Sequence, residues 1–420
     1  MIKVYKGDIV FTEKPPEFNI FKDGYITVND GVIENVSAEK PDNLPAEDFT
    51  GNLIIPSFTD MHVHAPQYPN IAMGYDEELL PWLNKYTFPC EARFENLDYA
   101  EKIYKAFINK LWECGSLHSI VFATMHYEAS CLLFELFNLS GLFAYVGKVN
   151  MDRNGSLSLS EKAAESMEMT RRIVGKYKAG ERVKPIITPR FVPSCTDELM
   201  EMLAELVSFE NLPVQSHLDE NIGEIEWVKE LHPESESYAA VYDKYGMLGP
   251  SKSVMAHCVH MKESEKKLLK DRGTYIALCP LSNINLASGM APVREYLDMG
   301  MRLGLGSDVS GGSDMFIPRS AAALIGVSKL YFAHIDRDKK PLSLSEAFYI
   351  ATKGAGEFFC LTGSFEKGYY FDALVIDDED LKISGVENDI KERLERFIYL
   401  GTNRNIKKRI LRGKEIEKPF

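Results

Sequence analysis

The chain has 420 residues, with 62 Asp plus Glu against 48 Lys plus Arg, for a formal charge of −14. That length allows one large domain or a few smaller ones with buried cores, and 45% hydrophobic with 26% charged residues excludes disordered and fibrous classes. The acidic balance disfavours nucleic acid and anionic membranes, and no stretch reaches the roughly 18 apolar residues of a membrane helix. Met1–Lys6 lacks the apolar core of a signal peptide, so a soluble, cytoplasmic protein is expected.

In chain order, the first segments are short alternating strands: Ile9–Phe11, Tyr25–Val28, an Asn29-Asp30-Gly31 turn, then Val32-Ile33. From residue 57 apolar runs alternate with helical stretches. Strands are predicted at Thr59–Val63, Ser119–Ala123, Phe143–Val149, Lys184–Thr188, Pro213–Ser216, Ser253–Ala256, Tyr275–Leu278 and Arg302–Gly306. Helices are predicted at Asp98–Glu113, Ser160–Lys178, Thr196–Glu210 and Glu263–Arg272. The tail returns to strands at Asp372–Asp377 and Phe397–Leu400. Eight β-then-α units predict an α/β fold, a (β/α)8 TIM barrel over residues 57–364. A small β-sandwich built from both termini, residues 1–56 and 365–420, would complete it. There is no internal repeat. The seven cysteines include no C-x-x-C pair, which argues against disulfides and a cysteine zinc site.

Polar residues gather where a barrel would keep its chemistry. In Asp60-Met61-His62-Val63-His64 a period of two places Asp60, His62 and His64 on one face of the strand. His217, His257 and Asp308 each follow the C-terminal end of another predicted strand. Three imidazoles with one carboxylate can hold a divalent metal and leave room for a water, whose pKa falls towards 7. Imidazole suits zinc and iron alike. Glu220, three residues past His217, is placed to carry a proton, whereas Asp219 and Glu224 read as solvated carboxylates at a helix start. Arg190 ends the fourth strand, where two-metal barrels carry a carbamylated lysine; a guanidinium cannot form a carbamate, so one metal is expected. Lys184 lies at the wrong end of that strand.

His126 is a possible pocket residue just past the second strand. His260 is expected at the surface, and His118, His232 and His334 at the surface or in packing. Ser310-Gly311-Gly312-Ser313 lacks the lysine and spacing of a phosphate loop. The H-x-E with P-C-x-x-C pattern of the small nucleobase deaminases is absent.

The motifs resemble those of the amidohydrolase superfamily, and more narrowly of the guanine deaminases. The carrying strings are Pro56–His64 with His64-Ala65-Pro66-Gln67-Tyr68, Trp82–Pro89, Thr188-Pro189-Arg190-Phe191, Gln215–Asn221, Val254–His257 and Gly306-Ser307-Asp308. Ser57 stands where glycine is usual, and Leu281 where a polar residue is common. The resemblance implies zinc on His62, His64, His217 and Asp308, one ion per subunit, with ferrous iron as the alternative. His257 would stand near the metal-activated water. It also implies a guanine pocket of Gln67, Arg190, Phe191 and Glu220, to which His64, His217 and Asp308 contribute from the metal side. Arg190 would donate to the carbonyl oxygen, Gln67 would read a ring-nitrogen edge, and Phe191 would border the base. The implied reaction is hydrolytic deamination to xanthine and ammonia, with Glu220 as proton shuttle, Asp308 and His257 orienting the water, and a homodimeric enzyme. Competing readings are another aminohydrolase acting on cytosine, a modified adenosine or a triazine, and an inactive scaffold that binds cytoskeletal partners.

Overall fold

Both ends of the chain form strands because their apolar residues alternate. In the computed structural model, which describes residues 1–42, 44–155, 159–249 and 251–420, strands Ile2–Phe11, Asn19–Asn29, Val32–Ser37 and Ala46–Pro56 pair with Ala373–Ile376, Ile406–Leu411 and Lys414–Glu415. Ala46–Pro56 lies parallel to Ile2–Phe11 on one side and antiparallel to Ala373–Ile376 on the other, so the two termini meet at its flanks. Ile9, Phe11, Ile54 and Val375 pack in a core on one face of the sheet. Their neighbours Val10, Leu53, Ile55 and Leu374 join the main core on the other. Asp30 and Gly31 turn the second strand into the third with φ of 47° and 85°, the left-handed pair that a two-residue hairpin requires.

The seven strands form one continuous hydrogen-bonded sheet. Its far edge is covered where Ile33 N–H donates to the Tyr369 carbonyl at 2.8 Å and Phe371 N–H to the Gly31 carbonyl at 2.8 Å. Phe397–Leu400, read as a strand, is the last turn of helix Ile390–Leu400. Ile390, Leu394, Phe397 and Ile398 recur at helical spacing on its buried face, and an Asp389–Glu392 capping box starts it. A four-residue apolar window hid the longer period.

The middle of the chain supplies eight parallel strands in two groups of four. Phe58–His64, Ser116–Phe122, Phe143–Gly147 and Val183–Pro185 make one group; Val214–Leu218, Ser253–His257, Tyr275–Leu278 and Arg302–Leu305 make the other. An Ile187–Val214 bridge joins them on one side. On the other side Asp308 N–H donates to the His62 carbonyl at 2.8 Å, and His64 N–H to the Val309 carbonyl at 3.1 Å. Every predicted strand of this region is present within a few residues. The fourth is the most broken: Val183–Pro185 ends at a proline, and Thr188–Pro189 pairs instead with Val149–Asn150. The four predicted helices lie at Leu97–Glu113, Ala163–Tyr177, Asp197–Glu210 and Glu263–Arg272. Asn96 and Thr196 cap two of them by accepting from Tyr99 N–H and Leu199 N–H.

Arg393 ties the C-terminal helix to the sheet. Its guanidinium donates to Asp8 of the first strand, to Asp378 and to the Gly51 carbonyl, and all three charged groups are buried. Removing one partner of a buried charge cluster typically costs about 3–5 kcal/mol, because the others stay desolvated. Arg393→Met should therefore lower the thermal unfolding midpoint sharply while leaving turnover per folded molecule unchanged, checked by calorimetry beside an activity assay on the surviving fraction.

Candidate functional site

The strand ends bring His62, His64, His217 and Asp308 together. One donor atom from each lies within 4.8 Å of all the others. His62 Nε2 is 3.2 Å from His64 Nε2 and 3.1 Å from Asp308 Oδ1; His64 Nε2 is 3.3 Å from both His217 Nε2 and Asp308 Oδ1. Donors about 2.0–2.1 Å from a common ion at tetrahedral angles lie about 3.3 Å apart, which these four separations match, so the group could close on one zinc-sized cation. Imidazole nitrogens this close have no proton arrangement that satisfies all of them, whereas a cation does. Burial pushes His62, His64 and His217 towards the neutral, ligating form, His64 down to about 4. Burial alone would raise Asp308, but hydrogen bonds from His62 and His64, with the charge interactions of His62 and His257, hold it well below the usual carboxylate range. His217 Nδ1–H donates to the Arg190 carbonyl at 2.6 Å, which turns its Nε2 lone pair inward. Asp60 shares the face of His62 and His64 but accepts from Ser307 N–H at 2.9 Å and Ser307 Oγ–H, fixing the loop that carries Asp308.

Beside this cluster stand His257 and Glu220. His257 has φ +71° and Asp308 φ +46°, a left-handed backbone that aims both side chains inward from the strand ends. His257 Nδ1–H donates to Asn283 Oδ1 at 2.9 Å, and its Nε2 faces Glu220 Oε2 at 3.4 Å and Asp308 Oδ2 at 3.8 Å. Ser288 Oγ–H donates to the other Glu220 oxygen, Oε1, at 3.1 Å. Burial and then the nearby Asp308 charge push Glu220 well above an ordinary carboxyl, a state that can gain and lose a proton. Asp219 and Glu224 are not solvated: both are buried, and burial raises them to about 9 and about 7. Glu224 caps the helix Ile222–Leu231, accepting from Glu220 N–H at 3.1 Å and from Tyr238 Oη–H at 2.7 Å.

The opposite wall carries Gln67, Arg190 and Phe191, all buried. Glu91, which sequence reasoning missed, binds Arg190 through two bonds of 2.6 and 3.0 Å and accepts from Gln67 Nε2–H at 2.8 Å. Burial alone would raise the Glu91 carboxyl, but the Arg190 guanidinium wins and holds it below its ordinary value. Leu79, Trp82 and Leu83 roof the cavity, which has about 420 Å³ of atom-free space, and Leu286 and Phe191 border it. The Trp82–Pro89 string thus has a structural reason: Trp82 and Leu83 close the roof, Phe88 packs 5.1 Å beneath the Arg190 guanidinium, and the same helix delivers Glu91.

His126 stands at the start of helix Tyr127–Ser140 without a side-chain capping bond and stays outside the cavity lining. His260 is half-buried; its ring donates to the Ser288 carbonyl at 2.6 Å and steadies the residue that holds Glu220. His118 and His232 are buried, His334 is exposed, and all seven cysteines are free. Ser310 belongs to the site, donating to Gln67 Oε1 from N–H at 3.2 Å and from Oγ at 3.3 Å. Lys184 is exposed at the far strand end, as expected. Glu91, Ser288 and Asn283 had no signal in the sequence beyond following a candidate string or strand.

Residues 53–416 match the amidohydrolase family. The guanine deaminase of Dictyostelium discoideum is 37% identical over 99% of this chain and 98% of its own length. The Homo sapiens guanine deaminase is 38% identical over 86% of this chain and 82% of its own. The crystal structure of guanine deaminase from C. acetobutylicum, with guanine bound in its active site, superposes with a TM-score of 0.97 at 49% identity, covering 99% of this chain and 100% of that one. With a family match across the eight strands and their ligand set, and relatives spanning both chains almost end to end, this chain belongs to the amidohydrolase family and, within it, to the guanine deaminases.

Proposed function

We propose that this chain hydrolyses guanine to xanthine and ammonia with one divalent metal per subunit, zinc first and ferrous iron as the alternative. The observation that carries the reading is the meeting, in one roofed cavity, of a closely spaced His62–His64–His217–Asp308 set, a buried Glu220 and an Arg190–Gln67 edge. The guanine held by the C. acetobutylicum relative supports the substrate. We read the eight strands as a closed (β/α)8 barrel over residues 57–364, with residues 1–56 and 365–420 as the flanking β unit. The hydrogen bonds on both sides of the two four-stranded groups support that reading.

A bound metal would supply a Lewis acid that lowers the pKa of a water towards 7. Asp308 and His257 would orient a water against C2 of the base. As the water oxygen bonds to C2, Glu220 takes one of its protons and gives it to the adjacent ring nitrogen; the proton left on that oxygen then passes by the same carboxyl to the exocyclic amine, the C2–N bond breaks, and ammonia leaves a carbonyl at C2. Ser288 ties down one Glu220 oxygen, so the other, nearest His257, does the carrying. Arg190 donates to the carbonyl oxygen of guanine, since a guanidinium is always a donor. Gln67 meets the ring-nitrogen edge and Phe191 borders the plane. The apolar roof keeps bulk water from competing for these donors.

The resemblance also supports a cytoplasmic homodimer acting on a free base, with no nucleic-acid or membrane partner. Among the described residues no helix is long and apolar enough to cross a membrane. Sedimentation of the purified protein tests the dimer.

Purified, zinc-loaded protein should consume guanine with release of one ammonia per base, followed by the change in ultraviolet absorbance; turnover of cytosine or adenosine but not guanine would refute the assignment. Glu220→Gln should lower kcat by about 10²–10⁴ while metal content by elemental analysis stays at one per chain. Chelator treatment should abolish turnover and lower the unfolding temperature, and both should return with added zinc, because a ligand that binds only the folded state stabilises it.

A further inference from the structure

Glu91 braces two side chains at once. Its Oε2 accepts from Arg190 Nη1 at 2.6 Å; its Oε1 accepts from Arg190 Nη2 at 3.0 Å and from Gln67 Nε2 at 2.8 Å. On its other side, Gln67 Oε1 accepts from Ser310 N–H at 3.2 Å and Oγ–H at 3.3 Å. These bonds allow the amide one orientation only. A flip would set its oxygen against the Glu91 carboxylate and its NH2 against the Ser310 N–H. Arg190 is equally fixed, paired bidentately and seated over the Phe88 ring. All three side chains are 2–3% exposed, so the pair is poorly screened and the carboxylate offsets most of the guanidinium charge locally.

We propose that Glu91 is a positioning and specificity residue: it locks Arg190 and Gln67 into a single donor edge and cancels the Arg190 charge, so that the cavity takes a neutral oxopurine in preference to an anionic one. This deepens the guanine reading and rests on it. The chemistry gives the pairing a purpose. Replacing the amine of guanine by a second carbonyl makes the ring N–H groups more acidic, so the product has more anionic character than the substrate. An unpaired arginine would hold that anion, whereas a paired one donates hydrogen bonds without offering net charge. The neutral substrate is then recognised by shape and donor pattern, and the product is not retained.

The test compares two competitive inhibitors at one neutral pH, hypoxanthine as the neutral oxopurine and urate as the anionic one, alongside guanine turnover. Wild type should bind hypoxanthine more tightly than urate. Glu91→Gln keeps an acceptor for Gln67 but removes the charge. It should raise KM for guanine about tenfold with kcat within about threefold, and shift the hypoxanthine-to-urate preference about tenfold towards urate. Glu91→Asp, which restores the charge, should return the preference towards wild type. An unchanged preference in Glu91→Gln, or no recovery in Glu91→Asp, overturns the proposal. If Glu91→Gln does not fold, a wild type that favours urate overturns it and one that favours hypoxanthine supports it. Absence of guanine turnover in wild type would remove the underlying assignment instead, a result distinct from an active enzyme with the wrong inhibitor preference.

Discussion

Four donor atoms held within 4.8 Å of one another, in a setting where burial strips them of water, are the constraint around which the rest of this molecule is organised. Without a cation, three imidazole lone pairs and a carboxylate at that spacing repel one another. A cation would draw the same atoms into one ligand set. Keeping them there requires rigid supports, and each ligand has one. His62 and His64 stand on a fully buried strand, His217 is pinned by the Arg190 carbonyl, and Asp308 sits on a loop anchored by Ser307 to Asp60. The left-handed backbone at His257 and Asp308 is a local strain that only a well-packed surround can sustain.

The same low-dielectric setting governs the acids behind the cluster. Asp219 and Glu224, raised to about 9 and about 7 mainly by burial, flank Glu220 in sequence and hold protons near neutrality. They therefore add less negative charge near the site than three carboxylates would. The formal net charge of −14 counts every acid as ionised, wherever it lies, and so does not describe this balance. What matters at the site is a set of local pairings: Glu91 with Arg190, Asp308 with the imidazoles, and Ser288 with Glu220.

The three-His, one-Asp cluster was legible in the sequence because each member obeys a short-range rule, alternation on a strand for His62 and His64 and position at or just past a strand end for His217 and Asp308. The eight central strands were legible because short, apolar-rich segments alternate with longer amphipathic helical stretches along this part of the chain. What escaped depends on distance or on a longer window. Glu91 meets Arg190 across 99 residues, and nothing local marks it out. Asp219 and Glu224 read as solvated because acids at a helix start usually are; here the helix is capped inside the protein. Phe397–Leu400 looked like a strand because four residues cannot reveal a period of 3.6. His260 was set aside because its contact is with a backbone carbonyl, which no side-chain pattern predicts.

The hydrogen bonds from Asp308 to His62 and from His64 to Val309 join the first of the eight parallel strands to the loop after the last. Three of the four candidate ligands lie along that seam, about 245 residues apart in the chain. A cation held by His62, His64 and Asp308 would fasten that seam, so a change that strains the join between the first and last strands would also weaken metal affinity.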